Sequence, residues 1–156
     1  MTTSSYDSSA ASAIISSFDA RAEMLVQILH AFMDRFAWIS EEAIRQLAEE
    51  LNLSRADVHG VVSYYHDFRT SPPGRHLVKI CQAEACQAMG SRILSMHAEK
   101  ALGVQMHTSS GDVTLEPVYC LGNCACSPAV MVDGKTYGRV SNDRFDELVA
   151  DMEASP

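Results

Sequence analysis

The 156-residue sequence predicts an α+β chain, with a helical bundle over residues 14–72 followed by a small α/β domain over residues 73–156. Three observations lead there. Before residue 70, apolar residues recur at helical steps of three, four or seven. Ser71-Pro72-Pro73-Gly74 then breaks the chain. Beyond the break, short β-like runs alternate with helical stretches in the order β-α-β, then β-β-α.

Taken in order, residues 1–13 (MTTSSYDSSAASA) are rich in serine and threonine and are expected to be poorly ordered. Ile14, Phe18, Leu25, Leu29, Phe32 and Phe36 make one apolar stripe. Ser40 is placed to cap a helix through EEAIRQLAEEL. Ser54 with Asp57 resembles a capping box opening a third helix, RADVHGVVSYYHDF. The Met and aromatic positions of these helices read as core, because burying such side chains is the main stabilising term. A partner-binding groove is the alternative.

Residues 76–80 predict a short strand that ends at Cys81, and residues 86–100 a helix. Residues 113–119 predict a strand with Pro117 near its end, which points to an edge or irregular position. Residues 129–132 and 136–140 predict two strands joined by Asp133-Gly134, a strong hairpin signal. Ser141 is placed to cap a last helix over residues 143–152. With a right-handed crossover, this order suits a thioredoxin-like layer of helices on a sheet.

Lys and Arg number 12 against 20 Asp and Glu, a formal net charge of −8. That argues against nucleic acid, whose binding depends on cations neutralising phosphates. Hydrophobic residues make up 47% and charged residues 21%, as in soluble globular proteins. No apolar run approaches the roughly 20 residues of a membrane span, so no membrane insertion is expected. The N-terminus lacks the basic end and apolar core of a signal peptide, and a cytoplasmic protein is expected. Its cysteines are then expected to stay reduced, and a structural disulfide is the weaker reading.

All five cysteines fall in two short segments, CQAEACQAMG from Cys81 and CLGNCACSPAV from Cys120. Four residues separate Cys81 from Cys86, and three separate Cys120 from Cys124. Each pair follows a predicted strand. Adjacent parallel strands would bring both loops to one end of a sheet, where four thiolates would converge. Four readings compete. A structural zinc site uses four thiolates but is usually spaced C-x2-4-C at both ends. A thioredoxin-type dithiol needs C-x-x-C, which neither pair has. Unlinked buried thiols are common, since cysteine is often a small core residue. An iron–sulfur cluster takes four thiolates in loops that offer backbone N–H groups to sulfur. Ligand softness alone does not separate zinc from iron–sulfur. Gly122 favours the cluster, because a backbone at φ > 0 turns N–H groups toward sulfur. Cys86 near a helix start, where the dipole stabilises a thiolate, favours it too.

The pattern C-x4-C, then CLGNC and SPAV, then DGKTYGRV, resembles the thioredoxin-like [2Fe-2S] ferredoxin family. Its members include the small iron–sulfur subunits of respiratory NADH dehydrogenase and of NAD-reducing hydrogenases. They also include the gamma subunit of NAD-dependent molybdenum-containing formate dehydrogenase. HGVVSYYHDFRTSPPGRH is similar to the family's junction between helical and cluster-bearing parts, and the resemblance runs over about residues 20–150. CQAEACQAMG and CLGNCACSP look most like the formate dehydrogenase subunit.

The resemblance implies one [2Fe-2S] cluster on Cys81, Cys86, Cys120 and Cys124. Cys126 has no counterpart among the ligands; it reads as a small neighbour of the site or as a spare ligand. Glu84, between two ligands, reads as a solvated loop residue whose charge would favour the oxidised cluster. Of the six histidines, His76 and His107 are nearest the cysteine segments in sequence. Histidine ligation is not expected with four cysteines present.

No dinucleotide fingerprint, Walker motif or Ser-His-Asp set is present, and no catalytic residue is expected. The implied role is one-electron transfer inside a larger enzyme. Its partners would be a flavoprotein subunit that binds FMN and NAD and, through the complex, a large molybdenum subunit that oxidises formate. The alternatives are the equivalent small subunit of NADH:quinone oxidoreductase or of an NAD-reducing hydrogenase. From another class, the alternative is a stand-alone structural or regulatory module that binds zinc.

Overall fold

The computed structural model describes residues 6–154. The chain divides into two compact units at Pro72/Pro73, inside the Ser-Pro-Pro-Gly break. Among the described residues, no helix is long and apolar enough to cross a membrane.

The first unit is helical. Helix α1 (Ser8–Ser17) is capped by Asp7, whose carboxylate accepts from the Ala10 N–H. Residues 8–13, expected to be poorly ordered, are therefore helical; the same expectation for residues 1–5 lies outside the described residues. The apolar stripe from Ile14 to Phe36 is not one helix. Asp19 and Ala20 adopt φ of 56° and 48°, which ends α1, and α2 (Leu25–Phe36) starts after a single 3-10 turn. Ser40 caps α3 (Glu41–Glu50) by accepting from the Ala43 N–H at 3.1 Å. Ser54 and Asp57 form both bonds of a capping box on α4 (Arg55–Tyr64). Ile15, Ile28, Leu29, Phe32, Leu47 and Val58 form the centre of this unit's core.

The second unit is a five-stranded mixed sheet with helices, in strand order β2-β3-β1-β4-β5. Strand β1 (His76–Cys81) buries His76, Val78 and Ile80 on alternate positions, the period of two expected of a pleated strand. It pairs in parallel with β3 (Val113–Val118), from His76 opposite Val113 to Cys81 opposite Val118. The connection passes through α5 (Glu84–Ala88) and α6 (Ser91–Leu102). The single helix expected over residues 86–100 is split because Gly90 adopts φ 95°.

Strand β2 (Thr108–Ser110), three exposed polar residues, was not expected. It makes the first half of β3 interior, while the half that holds Pro117 is paired on the β1 side alone, a local edge as expected. The proline is thus accommodated: β2 covers only Val113–Leu115, so the missing N–H of Pro117 falls beyond its reach. Strands β4 (Val130–Val132) and β5 (Lys135–Tyr137) are joined by Asp133 at φ 47° and Gly134 at φ 82°, the left-handed pair of a tight hairpin. Ser141 caps α7 (Asn142–Glu153).

Phe145 of α7 is fully buried among Val78, Ile80, Leu115 and Val130, whereas Ile93 of α6 is 62% exposed. Phe145→Ala should lower the stability of the second unit by about 3–5 kcal/mol, and Ile93→Ala by about 0.5 kcal/mol or less. Urea unfolding measures both. Equal losses would contradict this placement of the core.

Candidate metal centre

The parallel register decides where the cysteines meet. Cys81 is the last residue of β1 and lies opposite Val118, the last residue of β3. The chain leaves both strands at that level, into Gln82–Ala83 on one side and Tyr119–Cys120 on the other. Gln82 N–H donates to the Val118 oxygen at 2.7 Å, and Cys81 N–H to the Ala129 oxygen at 3.0 Å. Cys81, Cys86 and Ala129 form a small buried cluster with Ala83, Val118 and Leu121 around it, apart from the main core.

The thiols come as two unlike pairs. Cys81 and Cys86 are both 2% exposed and pack in the same small buried cluster. Cys120 and Cys124 are exposed, with their sulfurs 3.9 Å apart. The Ser127 hydroxyl lies against both Cys86 and the Cys124 backbone, which ties the two segments together. Burial pushes the Cys81 thiol up, against N–H groups of Ala83 and Leu121 that favour its thiolate. Burial also raises Cys86, but the Ser127 hydroxyl, the Ala129 N–H and the Cys81 thiol outweigh it and leave Cys86 below the ordinary thiol value. The Cys120 thiol next to Cys124 pushes Cys124 up.

Gly122 adopts φ 72° and directs its N–H to the Cys120 sulfur at 3.3 Å, as its place in the sequence suggests. Cys126 is half-buried and outside both pairs. Glu84 is exposed. His76 bonds Asp133 at 2.8 Å, at the opposite end of β1 from Cys81. The His107 N–H donates to the Leu115 oxygen.

Among the described residues, no three histidine, cysteine, aspartate or glutamate side chains surround a single point where one metal ion would sit. Two separate thiol pairs are instead what a two-iron group requires, since each iron takes two thiolates. A tetrahedral metal with metal–sulfur bonds of about 2.3 Å holds its thiolates about 3.8 Å apart. The 3.9 Å separation of Cys120 and Cys124 matches that span. The Gly122 N–H on Cys120 is a donor of the kind an anionic cluster needs, and the backbone of Ala83, Leu121 and Ala129 favours the thiolates of Cys81 and Cys86. The residues present fit a [2Fe-2S] group.

Two residues of the site escape a reading of cysteine spacing. Ser127 links the segments, within 3.6 Å of the Cys86 sulfur and 2.7 Å of the Cys124 oxygen. Gly138 lets the segment just after β5 press against the loop: a Cβ there would lie 2.6 Å from Cys126 Cβ and 2.7 Å from the Cys126 oxygen. The Arg139 N–H donates to the same oxygen. The only advance signal for Gly138 is its presence between β-formers in TYGRV.

Gly138→Ala should cost about 1–3 kcal/mol by overpacking this loop. Gly60→Ala, in α4 with no atom within 4 Å of the new Cβ, should gain about 0.5–1 kcal/mol. Thermal unfolding of both variants checks the contrast; a neutral Gly138→Ala would contradict the close approach.

Comparison with known proteins gives the family. The family model described as thioredoxin-like [2Fe-2S] ferredoxin matches residues 11–153. An NADH-quinone oxidoreductase subunit of Pseudomonas aeruginosa is 32% identical over 126 residues, 80% of this chain and 76% of the relative. The corresponding subunit of Escherichia coli is 29% identical over the same shares. A solved NAD+-reducing [NiFe]-hydrogenase shares the fold with a TM-score of 0.70 over 88% of this chain, at 22% identity. This chain spans 23% of that hydrogenase chain. The protein described here belongs to the thioredoxin-like [2Fe-2S] ferredoxin family.

Proposed function

We propose that this chain is an electron-transfer subunit that holds one [2Fe-2S] cluster on Cys81, Cys86, Cys120 and Cys124. It works beside an FMN- and NAD-binding flavoprotein subunit of a larger NAD-linked oxidoreductase. The observation that carries the reading is the convergence of two thiol pairs at one end of a parallel strand pair, in a chain of this family. When bound, such a group stores and passes one electron at a time. Cys81 and Cys86 anchor it on the dry side, where burial excludes water. Cys120 and Cys124 hold it on the exposed side, where a partner can approach. Gly122, Ala83 and Leu121 orient N–H donors at ligand sulfurs and offset part of the negative charge.

The relatives above favour a complex of the NADH:quinone oxidoreductase or NAD-reducing hydrogenase type. Membership of a formate dehydrogenase, with a large molybdenum subunit as a further partner, is a second reading. It is carried by the likeness of CQAEACQAMG and CLGNCACSP to that enzyme's gamma subunit. Purifying the tagged chain from its own cells and assaying NAD-linked turnover with quinone, hydrogen and formate decides between them.

Replacing Cys81, Cys86 or Cys120 with serine should abolish or severely weaken cluster retention, and Cys126→Ser should leave it intact. Iron and sulfide content of each variant is the measurement. Full iron in Cys81→Ser, or none in Cys126→Ser, would reverse the assignment. The purified chain should also be reduced by dithionite but not by NADH, because a one-electron centre cannot accept a hydride and a flavin is needed to split it into single electrons. Adding the flavoprotein subunit should make NADH reduction possible. NADH reduction without flavin would mean that the chain itself binds nucleotide.

A further inference from the structure

Ser127 is not one of the four proposed ligands, yet it touches both segments that carry them. It is buried, 8% exposed. Its hydroxyl donates to the Cys124 carbonyl oxygen at 2.7 Å, and the Cys86 thiol donates to Ser127 Oγ at 3.6 Å. Cys86 belongs to α5 and Cys124 opens the 3-10 turn Cys124–Cys126. One hydroxyl therefore joins the two thiol pairs.

Proton counting shows that this arrangement changes once Cys86 binds a metal. A metal-bound cysteine has lost its proton, so the donation from Cys86 to Ser127 ends. An anionic sulfur then faces a hydroxyl that owns a single O–H. A hydrogen bond to an ionised acceptor is roughly twice as strong as one to a neutral acceptor, and burial strengthens it further. The competing acceptor is the neutral carbonyl of Cys124, a weaker acceptor than a thiolate.

The geometry points to Ser127 as a tuning residue: when the cluster binds, its hydroxyl turns from the Cys124 carbonyl to the Cys86 sulfur and donates there, raising the reduction potential. The inference rests on the ligand assignment proposed above. Its direction follows from charge. Reduction adds an electron whose density spreads onto the ligand sulfurs, so a donor at a sulfur stabilises the reduced state more than the oxidised one.

The test is a redox titration of the cluster-loaded full chain as wild type, Ser127→Ala, Ser127→Gly and Ser127→Thr. It is followed by visible absorbance and by the paramagnetic signal of the reduced form, after iron and sulfide are measured in each. Ala and Gly should shift the potential to more negative values, and Thr, which keeps the hydroxyl, should stay at the wild-type potential. Equal potentials in loaded variants overturn the tuning role alone. So does loss of the cluster from both Ala and Gly with retention in Thr, which marks Ser127 as a structural anchor only. A wild-type chain that takes up no cluster overturns the ligand assignment, and the tuning role with it.

Discussion

The parallel pairing of β1 with β3 is the constraint on which the site depends. Parallel strands run in the same direction, so whatever follows each of them emerges at the same end of the sheet. Here the register puts Cys81 opposite Val118, and the two cysteine segments begin within two residues of that level. A slip of one residue would turn every side chain of β1 to the other face. Val78 and Ile80 would leave the core, and Cys81 would leave Ala129 and Cys86. The hydrophobic pattern that stabilises the sheet therefore also fixes the first candidate ligand. Strand β4, paired antiparallel on the other side of β1, carries the end of the second cysteine segment back against the first.

The unequal burial of the pairs follows from the same geometry. Cys81 and Cys86 lie where the sheet meets α5, covered by Ala129, Val118 and Leu121. Cys120 and Cys124 lie in the loop beyond the strand, where no layer covers them. That loop is nonetheless held: its backbone bonds to Arg139 and Val140, and Gly138 leaves no side chain to push it away. For electron transfer this division suits both needs. In the proposed role the buried pair would sit on a dry side and the exposed pair on a side open to a partner.

Features set by local chemistry were legible in the sequence. Ser40, Ser54 with Asp57, and Ser141 cap helices because an oxygen three residues upstream satisfies a free N–H, and this needs no tertiary information. Asp133-Gly134 and Gly122 were legible for a similar reason, since their backbone angles are conformations that few other residues adopt easily. The misses share the opposite cause. Asp19 and Ala20 take positive φ without being glycine, so the end of α1 gives no signal. Three exposed polar residues form β2 because β3 offers a ladder to pair with, not because Thr108–Ser110 has a strand pattern. The split between α5 and α6 turns on Gly90, which a helical pattern alone tolerates. Cysteine spacing was sufficient to nominate both pairs. It was silent on Ser127 and Gly138, whose roles come from neighbours distant in sequence, Cys86 for the first and Asn123 and Cys126 for the second.

The claim that two thiol pairs hold one two-iron group is tested most directly by the metal and acid-labile sulfide content of the purified chain. The account predicts about two irons and about two sulfides per chain, in a reddish-brown protein. One zinc per chain with no sulfide, in a colourless protein, would contradict it.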